Sequence, residues 1–308
     1  MKIVKIKFNQ ELFNTHVQTI SKTIYDLFLK LEYDNLEDET VECLNYVFEN
    51  LESILSANTT ELKKYIEYFE KNCSDSLKDG TELNKILRNE LFEKEYNNWG
   101  GRKKYGAYTF VQTLDLKTCP YCNRNYTFVV NNENGKLRPE IDHFYPKSIY
   151  PFLAMSFFNL IPSCSICNHT KSNKVKKDLD NPYDIESNSY KFTYIPNNIE
   201  FATVEKEKYD FDSFDIALKG NDSNIELFNL TELYQQHKDI VLDLLIKKAY
   251  YPQSYLEELE KSFGFTKDEI YRYLLGNYNK EEDLHKRPLS KLIWDISEEL
   301  GLNHNSFK

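Results

Sequence analysis

Two C-x-x-C pairs, Cys119-Pro120-Tyr121-Cys122 and Cys164-Ser165-Ile166-Cys167, stand 41 residues apart and constrain this chain more than any other feature. Each two-residue step lets both sulfurs face one ion, and the second pair pins the intervening loop. Four thiolates in this pattern can close a tetrahedral S4 site of the kind that holds structural zinc. Cys-Pro-Tyr-Cys alone would also suit a dithiol redox site. That chemistry needs a strand before the motif and a helix starting at it, whereas Tyr126 to Val130 patterns as a strand after it, and the second pair would go unexplained. Cys43 and Cys73 fall in helical patterns, where burial as small apolar residues accounts for them.

Composition narrows the class. Six cysteines in 308 residues are too sparse for a secreted disulfide scaffold, and the opening MKIVKIKFNQ is not a basic-then-apolar leader, so a reducing cytoplasm is expected. The longest apolar stretch, Pro151 to Pro162, is broken by Ser156 and Asn159 and falls well short of the roughly 18 to 20 residues that span a bilayer. The net charge of -10, from 39 Lys+Arg and 49 Asp+Glu, argues at first against a polyanion partner. Its distribution argues otherwise. Trp99 to Lys177 carries twelve Lys/Arg against four Asp/Glu, a net of +8, which leaves 27 against 45, or -18, for the remainder.

Apolar residues recur with helical period at Ile20, Ile24, Leu27, Phe28 and Leu31, again from Val41 to Leu55, and more briefly at Leu62, Ile66, Phe69 and at Leu83, Ile86, Leu87. Residues 1–98 therefore read as a helical arm. At Trp99-Gly100-Gly101-Arg102-Lys103-Lys104 the composition changes, and residues 99–180 read as a compact centre. Within it, Leu137 to His143 and Asn159 to Ser163 pattern as strands, followed by a helix from about Ser165. Residues 181–308 return to mostly helical patterning after short strand patterns at Tyr190 to Ile195 and Phe201 to Val204. The expected class is mainly α with a small α+β centre between helical arms.

The central segment reads Cys-x-x-Cys, then Asp142-His143-Phe144-Tyr145-Pro146-Lys147-Ser148, then Asn159-Leu160-Ile161-Pro162-Ser163-Cys164-Ser165-Ile166-Cys167-Asn168, then Lys171 and Lys174. Over Cys119 to Lys174 this resembles the HNH endonuclease superfamily with a zinc-clamped ββα-metal core. The Pro-Lys-Ser, Tyr-Pro-Phe-Leu-Ala and Asn-Leu-Ile-Pro-Ser-Cys phrases are similar to the PtuB-type HNH nucleases that accompany ATPases in Septu and retron anti-phage systems. The resemblance implies a metal-dependent nuclease acting as a defence effector, with DNA the favoured substrate and RNA the alternative, and an ATPase as protein partner. His143 would be the general base. Asp142 and Asn168 would offer oxygens to a catalytic Mg2+ or Mn2+, Asn159 would hold the loop that aims His143, and Cys119, Cys122, Cys164 and Cys167 would hold structural Zn2+.

Around this core, Lys171, Lys174, Arg124, Lys147 and Arg102 form a candidate nucleic-acid footprint. Glu140 shares a strand face with Asp142 and reads equally as a metal-shell member or a solvated carboxylate. His169 reads as a surface helix residue or a substitute ligand for Asn168. His16, His237, His285 and His304 lie in helical patterns as structural or surface residues. No phosphate-binding loop, dinucleotide fingerprint, nucleophile elbow or H-E-x-x-H motif occurs, so any ATP hydrolysis belongs to another protein. The acidic, aromatic-rich arms suit a protein partner or an oligomer. The competing reading is a non-catalytic zinc module that binds nucleic acid or protein. The segment Gly276 to Leu292, with its His285-Lys286-Arg287-Pro288 cluster, carries no assignment from sequence.

Overall fold

The computed structural model describes residues 4–32, 36–176, 178–185, 189–197, 211–251 and 253–302. The Phe201 to Val204 pattern and His304 lie outside the described residues. The described residues are mainly helical with three small two-stranded sheets, and the chain divides into two compact units. One comprises Ile6–Leu116 and Thr127–Lys177; the other comprises Met1–Lys5, Lys117–Tyr126 and Asp178–Lys308. No described helix is long and apolar enough to cross a membrane.

In the first unit, α1 (Gln10–Phe28) starts where the Asn9 side chain accepts from the Leu12 N–H at 2.9 Å and buries Leu12, Ile20, Ile24 and Phe28. The periodic stretch from Val41 to Leu55 is two helices, α2 (Asp38–Glu49) and α3 (Leu51–Ser56), which meet at Asn50. A reciprocal Asn58/Glu61 capping box opens α4 (Thr59–Asn72). Then come α5 (Glu82–Lys85), a π-helical turn at Ile86–Leu91, α6 (Phe92–Gly100) and α7 (Ala107–Leu114). Cys43 and Cys73 are buried, as expected, but they are joined in a disulfide, which corrects the expectation of separate apolar thiols. The pairing arises because Cys43 of α2 and Cys73, the residue capping α4, bring their Cα atoms to 6.6 Å.

The same unit contains the hairpin β1 (Val130–Asn132) and β2 (Gly135–Leu137), then β3 (Glu140–His143) paired antiparallel with β4 (Leu160–Ser163), and α8 (Ser165–Lys171). The strand expected from Leu137 to His143 is thus shorter. Leu137 belongs to the preceding hairpin, and Pro139, which has no N–H for a ladder, separates the two.

The second unit pairs β5 (Lys191–Pro196) with β6 (Phe214–Lys219) and surrounds them with α9 (Asp222–Leu227), α10 (Leu230–Gln235), α11 (Lys238–Tyr250), α12 (Gln253–Phe263), α13 (Lys267–Leu275) and α14 (Ser290–Glu299). Gly276 stops α13 with φ 63°, the left-handed conformation that glycine adopts without steric cost. The segment after it meets the first cysteine pair through Asn123, itself left-handed at φ 49° and fully buried. Asn123 donates through Nδ2 to the Leu284 and Arg287 carbonyls, both at 3.2 Å, and its Oδ1 accepts from Ser290 Oγ and the Lys291 N–H. Thr118 Oγ1 donates to the His285 carbonyl at 3.0 Å. Residues 284–291 therefore brace the turn that carries Cys119 and Cys122.

His16 is a core residue. Its Nε2 donates to the Met155 carbonyl at 2.7 Å, so Nδ1 accepts from the Tyr105 hydroxyl at 2.8 Å, and the ring packs against Trp99, Phe110 and Phe157. Burial lowers its pKa from 6.5 to about 4, with the Met155 bond opposing the shift. Between these values the unfolded chain takes up a proton that the folded chain refuses. The stabilisation is therefore complete above about pH 6.5 and is lost progressively as pH falls toward 4, amounting to about 3 kcal/mol. Urea denaturation across this range is expected to show the decline in wild type and a flatter dependence in His16→Gln; equal slopes would contradict the assignment.

Candidate active site

β3, β4 and α8 assemble as strand, strand and helix. The β3–β4 register pairs Glu140 with Ser163, Ile141 with Pro162, Asp142 with Ile161 and His143 with Leu160. Alternation along β3 puts Glu140 and Asp142 on one face. His143 is the last residue of the strand, where the chain turns into the loop back to β4, and both Asp142 and His143 are buried. The His143 ring packs edge-on to Tyr96 of α6 at 4.6 Å, and the Tyr96 hydroxyl donates to the Ile141 carbonyl at 3.4 Å.

One hydrogen bond defines the state of His143. Its Nε2 lies 3.0 Å from the Ala154 carbonyl oxygen, which can only accept. Nε2 therefore carries the proton, and Nδ1 is the basic nitrogen. Burial, then the positive charges of Lys147 and Lys171, push the His143 pKa down to about 3, against a partial upward pull from the Ala154 bond and Glu93. The imidazole is neutral throughout the physiological range.

Asn159 organises the loop that supplies this carbonyl. It accepts from the Tyr145 N–H at 2.7 Å and donates to the carbonyls of Tyr145 at 3.0 Å and Leu153 at 2.9 Å, the latter adjacent to Ala154. Its own carbonyl accepts from the Phe144 N–H.

α8 is joined to β3 by side chains one turn apart. Asn168 Nδ2 donates to Glu140 Oε2 at 2.6 Å, and His169 Nε2 lies 3.6 Å from Glu140 Oε1 with its side chain exposed. Lys171, which sequence patterning placed on a solvated or phosphate-holding face, is 0% exposed. Its ammonium donates to Asp142 Oδ1 at 3.1 Å and to the His143 carbonyl at 2.6 Å. The corrected position follows from helix geometry: in so short a helix the face carrying Asn168 and Lys171 is the one turned to the strand.

Other members of the expected footprint are also engaged internally. Arg102 makes a two-pronged ion pair with fully buried Glu95, at 2.7 and 2.9 Å. Lys147 bonds Glu93 and lies 5.5 Å from the Tyr96 ring centre. Arg124 Nε donates to His237 Nε2 at 2.9 Å. Lys174 is exposed and donates to the Thr170 carbonyl of its own helix.

The four cysteines meet the requirement read from their spacing. The Sγ atoms of Cys119, Cys122, Cys164 and Cys167 all lie within 4.8 Å of one another. A tetrahedral zinc site with bonds of about 2.3 Å needs sulfurs roughly 3.8 Å apart, so the quartet can close on one ion with small side-chain adjustments. The Arg124 N–H points at Cys122 Sγ at 3.4 Å, a bond that favours a thiolate. Among the described residues no second group of three or more His, Cys, Asp or Glu side chains converges in this way. Asp142 and the Asn168 amide oxygen are of the hard-oxygen type that Mg2+ or Mn2+ takes, with the remaining positions left to water and substrate.

Two expectations follow. Lys171→Met removes the ammonium that pairs with the buried Asp142 carboxylate and is expected to cost about 3 kcal/mol in urea denaturation. Adding Asp142→Asn should restore much of it, because no buried charge then remains; failure of the second substitution to help would remove the ion pair from the account. Metal analysis of the purified chain should find one zinc per molecule, lost in Cys167→Ser and retained when Cys43 and Cys73 are both replaced by alanine.

Comparison with known proteins places these features in partial context. The chain is 33% identical over 112 residues to the Septu protein PtuB of Bacillus thuringiensis, a match covering 35% of this chain and 40% of that protein's length. No family model matches the chain, and no solved structure matches it.

Proposed function

We propose that this chain is a metal-dependent HNH-type endonuclease that hydrolyses nucleic-acid phosphodiesters, DNA foremost, as the effector of an anti-phage system. The observation that carries the reading is the neutral His143 imidazole at the end of β3, whose Nε2–H is committed to the Ala154 carbonyl beside the buried Asp142 carboxylate. A ring held in this tautomer leaves Nδ1 as an acceptor, which can take a proton from a water molecule as that water attacks phosphorus. Its low resting pKa keeps it in the accepting form, and an incoming phosphate's negative charge would raise its basicity when the base is needed.

Asp142 and the Asn168 oxygen would hold a divalent cation, which would supply charge stabilisation for the phosphoryl oxygens. Lys171 keeps the Asp142 carboxylate aimed, and Asn159 keeps the His143 ring aimed through Leu153 and Tyr145. Zinc at the four cysteines is structural in this reading. The similarity to PtuB, with the HNH motif series, supports placing the chain in a Septu-like defence context, working in the cytoplasm alongside an ATPase.

The test is cleavage of supercoiled plasmid and structured RNA, with Mg2+ or Mn2+ and with chelator, by the chain alone and with any ATPase that co-purifies. Wild type should nick plasmid only with divalent metal. His143→Ala should lose roughly a hundred-fold or more at a temperature where its circular dichroism shows it still folded. Cleavage that survives this substitution or chelation would overturn the assignment, and binding without cleavage under every condition would favour the zinc-containing binding module.

A further inference from the structure

The β1–β2 hairpin has no evident structural purpose within its unit. All six of its paired residues are exposed, so neither face is buried against the protein. Two strands on their own are marginal in water, and an exposed ribbon of this kind is better understood as a surface waiting for a partner. Val130 and Leu137, directly paired, place apolar side chains 40% and 60% exposed on one face; Asn131 and Lys136 occupy the other. Lys136 and Arg138 both lie over the Tyr108 ring of α7, at 6.0 and 5.6 Å from its centre, which anchors the ribbon's base and gathers two cations there. Glu133, in the turn, is the single carboxylate between Val130 and Arg138.

The ribbon is also tied to the candidate active site. Pro139 alone separates Arg138 from Glu140, the first residue of β3. Arg138 acts electrostatically on Tyr96, whose ring contacts His143.

We infer that the β1–β2 ribbon is a duplex-DNA contact element that enters the major groove and presents the neighbouring phosphodiester to the His143 site. The inference rests on the nuclease reading for the cut, but not for the binding. The dimensions agree: three-residue strands extend about 10 Å, and a B-form major groove about 12 Å wide and 8.5 Å deep admits a two-stranded ribbon. The chemistry agrees on both faces. Lys136 and Arg138 suit phosphate or guanine edges, the Asn131 amide suits adenine, and Val130 and Leu137 suit thymine methyl groups. The deep, narrow major groove of A-form RNA does not admit the ribbon, which makes duplex DNA, not duplex RNA, the substrate it selects.

The test uses the full zinc-loaded chain without added Mg2+ or Mn2+, so that nothing is cut, and a short fluorescein-labelled DNA duplex read by anisotropy from about 50 to 200 mM KCl. Lys136→Gln with Arg138→Gln should bind about ten-fold more weakly, with the log-log salt slope flattened by about 1.8, two phosphate contacts at 0.9 each. The RNA duplex of the same sequence should compete poorly. Lys136→Glu alone, at an exposed position, should weaken binding in the same direction and guards against a folding defect from losing Arg138. Unchanged affinity and slope in these variants, equal competition by RNA, or no DNA binding by the wild type would each overturn the inference. A parallel arm with Mn2+ separates the two readings: DNA bound through the ribbon but never cut sinks the hydrolase alone, and DNA cut with ribbon variants at full affinity sinks the ribbon alone.

Discussion

A lysine ammonium with no solvent around it is tolerated only where other groups replace its hydration. Lys171 meets that condition with the Asp142 carboxylate and the His143 carbonyl, and the ββα arrangement depends on this exchange. The ammonium leaves α8 and must find β3; the carboxylate leaves β3 and has no water to turn to instead. Each charge offsets the desolvation of the other, and the pair ties helix to strand. The carboxylate that would meet a metal is thus oriented in advance by a bond inside the protein.

His143 is arranged on the same logic by neutral groups. Its ring could adopt either tautomer in water. Against Ala154 it can adopt only one, because a carbonyl has no proton to give. That carbonyl is in place because Asn159 bonds the neighbouring Leu153 carbonyl and both backbone groups of Tyr145, folding the sixteen-residue connection from Phe144 to Asn159 onto its own ends. An amide with donor and acceptor on one planar group is suited to this bridging, which a carboxylate or hydroxyl could match only in part. A preset carboxylate and a preset imidazole side by side are what electrostatic preorganisation requires of a hydrolytic site.

The cysteine quartet was readable from sequence because a metal site imposes its own spacing, independent of what lies between the pairs. β4 and α8 were readable to within a residue, since Pro162 and the cysteines punctuate them. The buried state of Lys171 was not. In a seven-residue helix the pattern for a face turned to a strand and the pattern for a face turned to water are the same letters. Arg102 and Lys147 misled for a related reason: their carboxylate partners, Glu95 and Glu93, sit on α6 in what reads as the polar side of a separate helical arm. The Cys43–Cys73 pairing had no signal either, because a separation of 30 residues across helices specifies nothing until the helices pack.

These internal pairings change what the charge count means. The +8 balance between Trp99 and Lys177 reads as a phosphate-binding surface only if its cations face solvent. Arg102, Lys147 and Lys171 each neutralise a carboxylate that folding has taken partly or wholly out of water. Lys147 and Lys171 also lower the pKa of His143. The cations of this segment that face solvent include Lys103, Lys104, Lys136 and Lys174. A small exposed set on an otherwise acidic chain gives weak, strongly salt-dependent attraction.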